Sequence, residues 1–209
     1  MTDLKALVLA CSLKPSPGPS SSELLGTQVL EAMKTAAQRT GDSVTGDVVR
    51  VVDAGVKFGV STDEGDGDGW PAIRERLLAA DVLVLATPIW MGQPGSVCKM
   101  VLERLDAEIS ETDDDGRMLT YGKVAIVAVV GNEDGAHHTT AELFQALNDV
   151  GFTIAANAST YWVGEAMQAV DYNDHNTTPE KTIGTTSVAA DNTLHLVRLL
   201  RGSAYPAPS

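Results

Sequence analysis

The chain alternates between short, wholly apolar runs and longer stretches in which apolar residues recur every three or four positions. Leu4–Ala10, Val82–Ala86, Val124–Val130 and Phe152–Ala156 are runs of the first kind and read as buried strands. Val44–Val52 alternates apolar with polar residues, which suits a strand nearer the sheet edge. Helical spacing joins Leu25, Val29, Met33 and Ala37, and a short second helix covers about Pro71–Ala80. Further helices follow from Val97, Met100, Val101, Arg104 and Leu105, from Leu143, Leu147 and Val150, and from Val188, Leu196, Leu199 and Leu200. Gly- and Asp-rich Gly55–Gly69 reads as an exposed loop, acidic Glu111–Gly116 as a solvated turn, and roughly Tyr161–Thr185 as irregular. Apolar strands separated by helices predict an α/β fold: a doubly wound, five-stranded parallel sheet with helices on both faces. No repeat or interdomain linker interrupts the pattern, so residues 1–201 are expected to form a single domain and 202–209 a frayed tail.

Composition narrows the function classes. A length of 209 residues suits one domain with a sizeable core. The formal charge of −13 argues against a nucleic-acid or anionic-membrane partner, and its ordinary meaning is solubility. Cys11 and Cys98 form no CxxC pair, which argues against a disulfide framework and for a reducing, cytoplasmic setting. The N-terminus lacks a basic region, and no run approaches the roughly 18–20 apolar residues of a membrane span. The Asn-x-Ser/Thr triplets at Asn157 and Asn176 therefore carry no weight as glycosylation sites.

In a doubly wound sheet, ligands bind beyond the carboxyl ends of the strands, at the switch in strand order. The loops after the first, third and fourth strands are therefore the candidates. The first, "CSLKPSPGPSSSE", brings Ser12, Lys14, Ser20, Ser21 and Ser22 to a helix start. Hydroxyls, free N–H groups and a cation there suit a phosphate, while Ser20 and Glu23 equally suit a capping box. The second places Pro88, Ile89, Trp90, Met91 and Gly92 at the ligand edge. Such a loop suits a flat heterocycle, or else it covers the core or meets another subunit. The third, "GNEDGAHH", offers Gly131, Asn132, Glu133, Asp134, Gly135 and His137 for a ring's polar edge, or a turn with Asp134 or Thr139 as helix cap. Glu133 and Asp134, pointed inward, would oppose charge on a reduced ring.

Other chemistries fail on spacing. The Rossmann, Walker and nucleophile-elbow patterns are missing. A Cys-x5-Arg phosphatase would need Arg where Pro17 stands, and a phosphoacceptor would need acidic residues at the end of the first strand. The loop from Glu111 has Gly122 at the twelfth position, where calcium requires a bidentate Glu, and the four His lack ligand spacing, so no metal site is expected. The three loops together describe a mononucleotide, its phosphate at the first loop and its ring between the other two. Flavin mononucleotide (FMN) fits that shape best.

These residues resemble the flavodoxin-like NAD(P)H-dependent FMN reductases, which include the multimeric flavodoxin-type quinone reductases. The resemblance rests on Ser12-x-Lys14 with Ser20–Ser22, and on Thr87-Pro88-Ile89-Trp90 with Gly92, Pro94-Gly95, Lys99 and Asp106. It also rests on "GNEDGAHH", and it spans roughly residues 4–165. It implies a flavodoxin-like fold, FMN held by the three loops, and NADPH or NADH as electron donor. It implies hydride transfer through flavin N5 to a quinone, free flavin or similar small-molecule acceptor, without a catalytic acid or base. A homodimer or homotetramer with flavin near the interface is implied too. The rivals are an electron-carrier flavodoxin docking through its acidic surface, and a flavin-free protein on the same fold.

Overall fold

The computed structural model describes residues 2–166 and 168–208. Its strands are β1 (Asp3–Ala10), β2 (Ser43–Arg50), β3 (Val82–Trp90), the two-residue β4 (Gln93–Pro94), β5 (Val124–Gly131) and β6 (Thr153–Val163). They lie in the order β2-β1-β3-β5-β6, all parallel, with β4 antiparallel to the end of β3. The five long strands thus follow the flavodoxin-like order 2-1-3-4-5, with the switch point between β1 and β3.

Period-two alternation sends each strand's apolar residues to two cores. Leu4, Val8, Val84 and Ile126 meet α1 (Ser21–Arg39) and α5 (Glu180–Gly202), through Leu25, Val29, Met33, Leu194 and Val197. On the other face Leu7, Leu9, Leu85 and Val127 meet α2 (Trp70–Ala79), α3 (Ser96–Leu105) and α4 (Ala136–Asp149). Each buried Leu or Val contributes about 1.5–3 kcal/mol relative to exposure. At Gly26 a Cβ would stand 2.7 Å from Val8 Cγ1, so α1 packs on the sheet only because that position has no side chain.

Two expectations need correction. β3 does not stop at Ala86; it runs on to Trp90 because Thr87 and Pro88 still pair with Val129 and Val130. The Ala86 carbonyl accepts from the Cys11 N–H at 2.8 Å and the Pro88 carbonyl from the Gly95 N–H at 3.0 Å. The short β4 therefore takes up the edge that β1 leaves, and the missing Pro88 N–H costs no ladder bond. The expected loop is a two-residue hairpin whose turn residues, Met91 (φ 54) and Gly92 (φ 75), carry the paired positive φ of a type I′ turn. β6, expected over Phe152–Ala156, continues through Val163 after an irregularity at Asn157 (φ 55), so Tyr161–Val163 are strand. Near the C-terminus the Tyr205 ring lies 5.4 Å from that of Tyr121, and its hydroxyl is 2.9 Å from Thr153 Oγ1.

Candidate functional site

The loop after β1 is held from below. Ser12, buried, accepts a hydrogen bond from the Lys14 N–H at 3.1 Å, and Asp53 accepts one from the Ser16 N–H at 3.0 Å. Bonds from the Ser16 hydroxyl and N–H hold the Asp53 carboxyl below the usual range. Arg50, at the end of β2, is 8% exposed and donates to the carbonyls of Gly18 at 2.6 Å and Lys14 at 3.4 Å. Its guanidinium also pairs with Glu23. Ser20 caps α1 by accepting from the Glu23 N–H at 3.2 Å, with the Ser22 hydroxyl 3.1 Å away. Glu23 does not reach back to close a capping box; it faces Arg50, which neutralises the carboxylate nearest the helix start. Lys14, by contrast, forms no ion pair among the described residues. The local balance of charge at this helix N-terminus is therefore positive.

The hairpin and the loop after β5 form the opposite wall. The Glu133 carboxylate accepts from the N–H groups of Met91 at 3.1 Å and Gly92 at 3.0 Å. Gly135 (φ 111), rather than Asp134 or Thr139, occupies the N-cap position of α4. A Cβ on Gly135 would stand 2.8 Å from Gly92 Cα, so only glycine lets the turn lie against the helix start.

Between these walls and the end of β6 lies a cleft of about 440 Å³. Of the residues singled out from sequence, Ser12, Lys14, Ser20, Ser21, Ser22, Pro88, Ile89, Trp90, Gly131, Asn132 and Glu133 line it. Met91, Gly92, Asp134, Gly135 and His137 do not: Met91 is 91% exposed at the hairpin tip, and His137 Nε2 lies 3.1 Å from the Tyr161 hydroxyl. Leu13, Val130, Trp162, Asp171 and Tyr172 line the cleft and were missed. Trp162 ends β6 and its ring lies 5.5 Å from that of Tyr172; an aromatic residue at a strand's carboxyl end was the available signal. Asp171 and Tyr172 belong to a turn that bridges the site's two ends. Asn132 Nδ2 donates to Asp171 Oδ1 at 2.8 Å, and the Ser21 hydroxyl bonds Asn173. Burial pushes the Tyr172 hydroxyl's pKa up despite its bond to Gln28 Oε1.

The residues present fit a flavin phosphate. One end of the cleft is a helix start with three serines and an unpaired lysine; the other has indole and aliphatic walls. Asn132 Oδ1 is buried without a partner, an orphaned acceptor in the loop after β5. The volume lies within the range of cofactor pockets, about 300–1,000 Å³.

A family model described as NADPH-dependent FMN reductase matches residues 4–168. The chain belongs to that family. The family's cofactor and donor, FMN and NADPH, are those the sequence resemblance implied. The chain is 31% identical over 215 residues to the 8-demethyl-8-aminoriboflavin-5'-phosphate synthase of Streptomyces davaonensis, covering 97% of this chain and 80% of that protein. The solved structure of RosB with bound 8-demethyl-8-formylriboflavin-5'-phosphate has a TM-score of 0.79 at 30% identity, covering 97% of this chain and 82% of that one. A Mycobacterium bovis protein named divalent metal cation transporter MntH is 35% identical over 213 residues. That match covers 99% of this chain, but the chain spans only 30% of that relative's length. Among the described residues no helix is long and apolar enough to cross a membrane.

Trp90 is 56% exposed while lining the cleft, so it is not a core residue. Trp90→Ala is expected to lower the stability of the FMN-free protein by less than about 1 kcal/mol, against about 3–5 kcal/mol for a buried tryptophan. Thermal melts with and without FMN check this, the larger difference being expected in the FMN-dependent part.

Proposed function

We propose that this protein is an FMN-dependent oxidoreductase that draws electrons from NADPH or NADH and delivers them to a small-molecule acceptor such as a quinone or free flavin. The observation that carries the reading is the cleft itself, with its serine-rich helix start and unpaired Lys14 at one end and Trp162, Trp90 and Asn132 at the other. Lys14 and the hydroxyls of Ser12, Ser20, Ser21 and Ser22 would hold the phosphate, and Pro88–Trp90, Gly131 and Asn132 the ring. FMN, once bound, supplies hydride transfer between nicotinamide and acceptor. The chain's own residues bind, orient and shield the reacting molecules, and no side chain is assigned as acid or base.

Exposed Trp90 and Met91 beside the open cleft support a homodimer or homotetramer in which a second copy covers the ring. The low count of cysteines supports a cytoplasmic setting.

The phosphate end provides the sharpest test. Lys14→Ala is expected to weaken FMN by about 1.5–3 kcal/mol, at least tenfold in Kd, while riboflavin, lacking the phosphate, is hardly affected. Titrations followed by flavin fluorescence measure both ligands. Equal weakening of the two would remove Lys14 from the phosphate site.

A further inference from the structure

We propose that Glu133 is a positioning residue: its carboxylate latches the β3–β4 hairpin into the shape that forms the ring end of the cleft. The inference rests on the flavin reading for what the hairpin meets, but not for the latch itself.

The hairpin cannot hold itself. Met91 adopts a positive φ, which costs a residue with a side chain about 1–2 kcal/mol. Its side chain is 91% exposed and that of Trp90 56%, so the tip gains little from apolar packing. A two-residue antiparallel ladder, Ile89–Pro94 and Trp90–Gln93, is marginal by itself. What opposes the strain is Glu133. One oxygen accepts from the Met91 N–H at 3.1 Å and the other from the Gly92 N–H at 3.0 Å, so both turn amides end on one carboxylate. Charge-assisted bonds of this kind are roughly twice as strong as neutral ones.

The surrounding contacts make this grip stereospecific. Gly135 lets Gly92 approach α4, and Gln93 contacts His138, 2.9 Å from its Nε2, on the same helix. The turn is therefore fixed at its tip by Glu133 and at its return strand by α4. Glu133 also lines the cleft, which places the latch between the hairpin and the ring end. Each oxygen of the carboxylate already accepts one turn N–H, and its task is to shape the wall. An amide in its place has one acceptor oxygen for two donors, and an aspartate is a methylene short.

Amide hydrogen exchange in FMN-free protein tests the latch directly, with Glu133→Gln and Glu133→Asp beside the parent. The expected result is at least about tenfold faster exchange at Met91 and Gly92 in both variants, with core amides of β1 and β5 unchanged. Because no ligand is present, this reading succeeds or fails independently of flavin binding. With ligand, both variants are expected to weaken FMN and riboflavin by a similar factor and to shift the visible spectrum of the bound flavin. Lys14→Ala, acting at the phosphate, should separate the two ligands instead. Unchanged exchange at Met91 and Gly92 in both variants overturns the latch. Faster exchange with unaltered flavin affinity and spectrum overturns its role in shaping the ring site.

Discussion

Arg104→Ala is expected to destabilise the protein by about 3–5 kcal/mol. The Arg104 side chain is fully buried and pairs with an equally buried Asp68 at 2.8 Å. It also donates to the carbonyls of Lys57 at 2.9 Å and Ser61 at 2.9 and 3.1 Å, and lies 5.6 Å from the centre of the Trp70 ring. Arg104 is thus the anchor of the whole Gly- and Asp-rich loop, and truncating it strands a buried carboxylate. Burial alone would raise the Asp68 pKa. Bonds from Arg104 and from the N–H groups of Glu64, Lys57 and Trp70 outweigh burial and hold it well below the usual range. A carboxyl depressed in the folded state contributes stability above its unfolded pKa, about 3.9, and loses it as pH falls toward the folded value. Denaturant melts of the parent should therefore show stability lost at pH below about 4. In Arg104→Ala, whose Asp68 has lost its cation, that acid-side dependence should shrink. Asp68→Asn, which keeps the shape but leaves Arg104 a buried, unpaired cation, is expected to show the same loss of pH dependence with a comparable drop at neutral pH.

Arg50→Ala is expected to act on stability and on the proposed phosphate end together. The guanidinium is almost wholly buried and its partner Glu23 is 32% exposed, so breaking the pair is expected to cost about 2 kcal/mol, less than for a fully buried pair. It also frees the Gly18 and Lys14 carbonyls, loosening the first loop, and exposes an uncompensated Glu23 carboxylate beside the α1 N-terminus. FMN should weaken more than riboflavin for that reason. Adding Glu23→Gln to Arg50→Ala should restore part of the FMN affinity while leaving the loop loosened. Calorimetric titrations of the single and double variants decide it. No recovery on adding Glu23→Gln would assign the whole effect to loop geometry.

Much of this was legible from one dimension. Buried parallel strands must be apolar on both faces, so Leu4–Ala10, Val82–Ala86 and Val124–Val130 announced themselves, and β/α alternation implied the doubly wound sheet. The serine loop was equally visible, since a helix start with clustered hydroxyls has few chemical meanings. Edge geometry was not. Pro88 and the glycines around it signalled a loop, because a proline is compatible with a strand only where its neighbour has ended. That depends on how far β1 extends beside β3. Trp162 stayed hidden for a similar reason: an exposed edge strand with an irregularity at Asn157 lacks the uninterrupted period on which strand assignment rests.

The sequence by itself determined the fold class, the two faces of the sheet and the three loops that carry polar and aromatic groups to its carboxyl edge. These are written in local periodicity and turn chemistry, which act between near neighbours. Only the tertiary structure decided that Arg50 neutralises Glu23, that Glu133 grips the turn at Met91 and Gly92, and that Asp171 and Asn173 bridge the ends of the cleft. Each of those contacts joins residues far apart along the chain. Charge pairing and hydrogen bonding depend on distances of a few ångströms that no period in the sequence records.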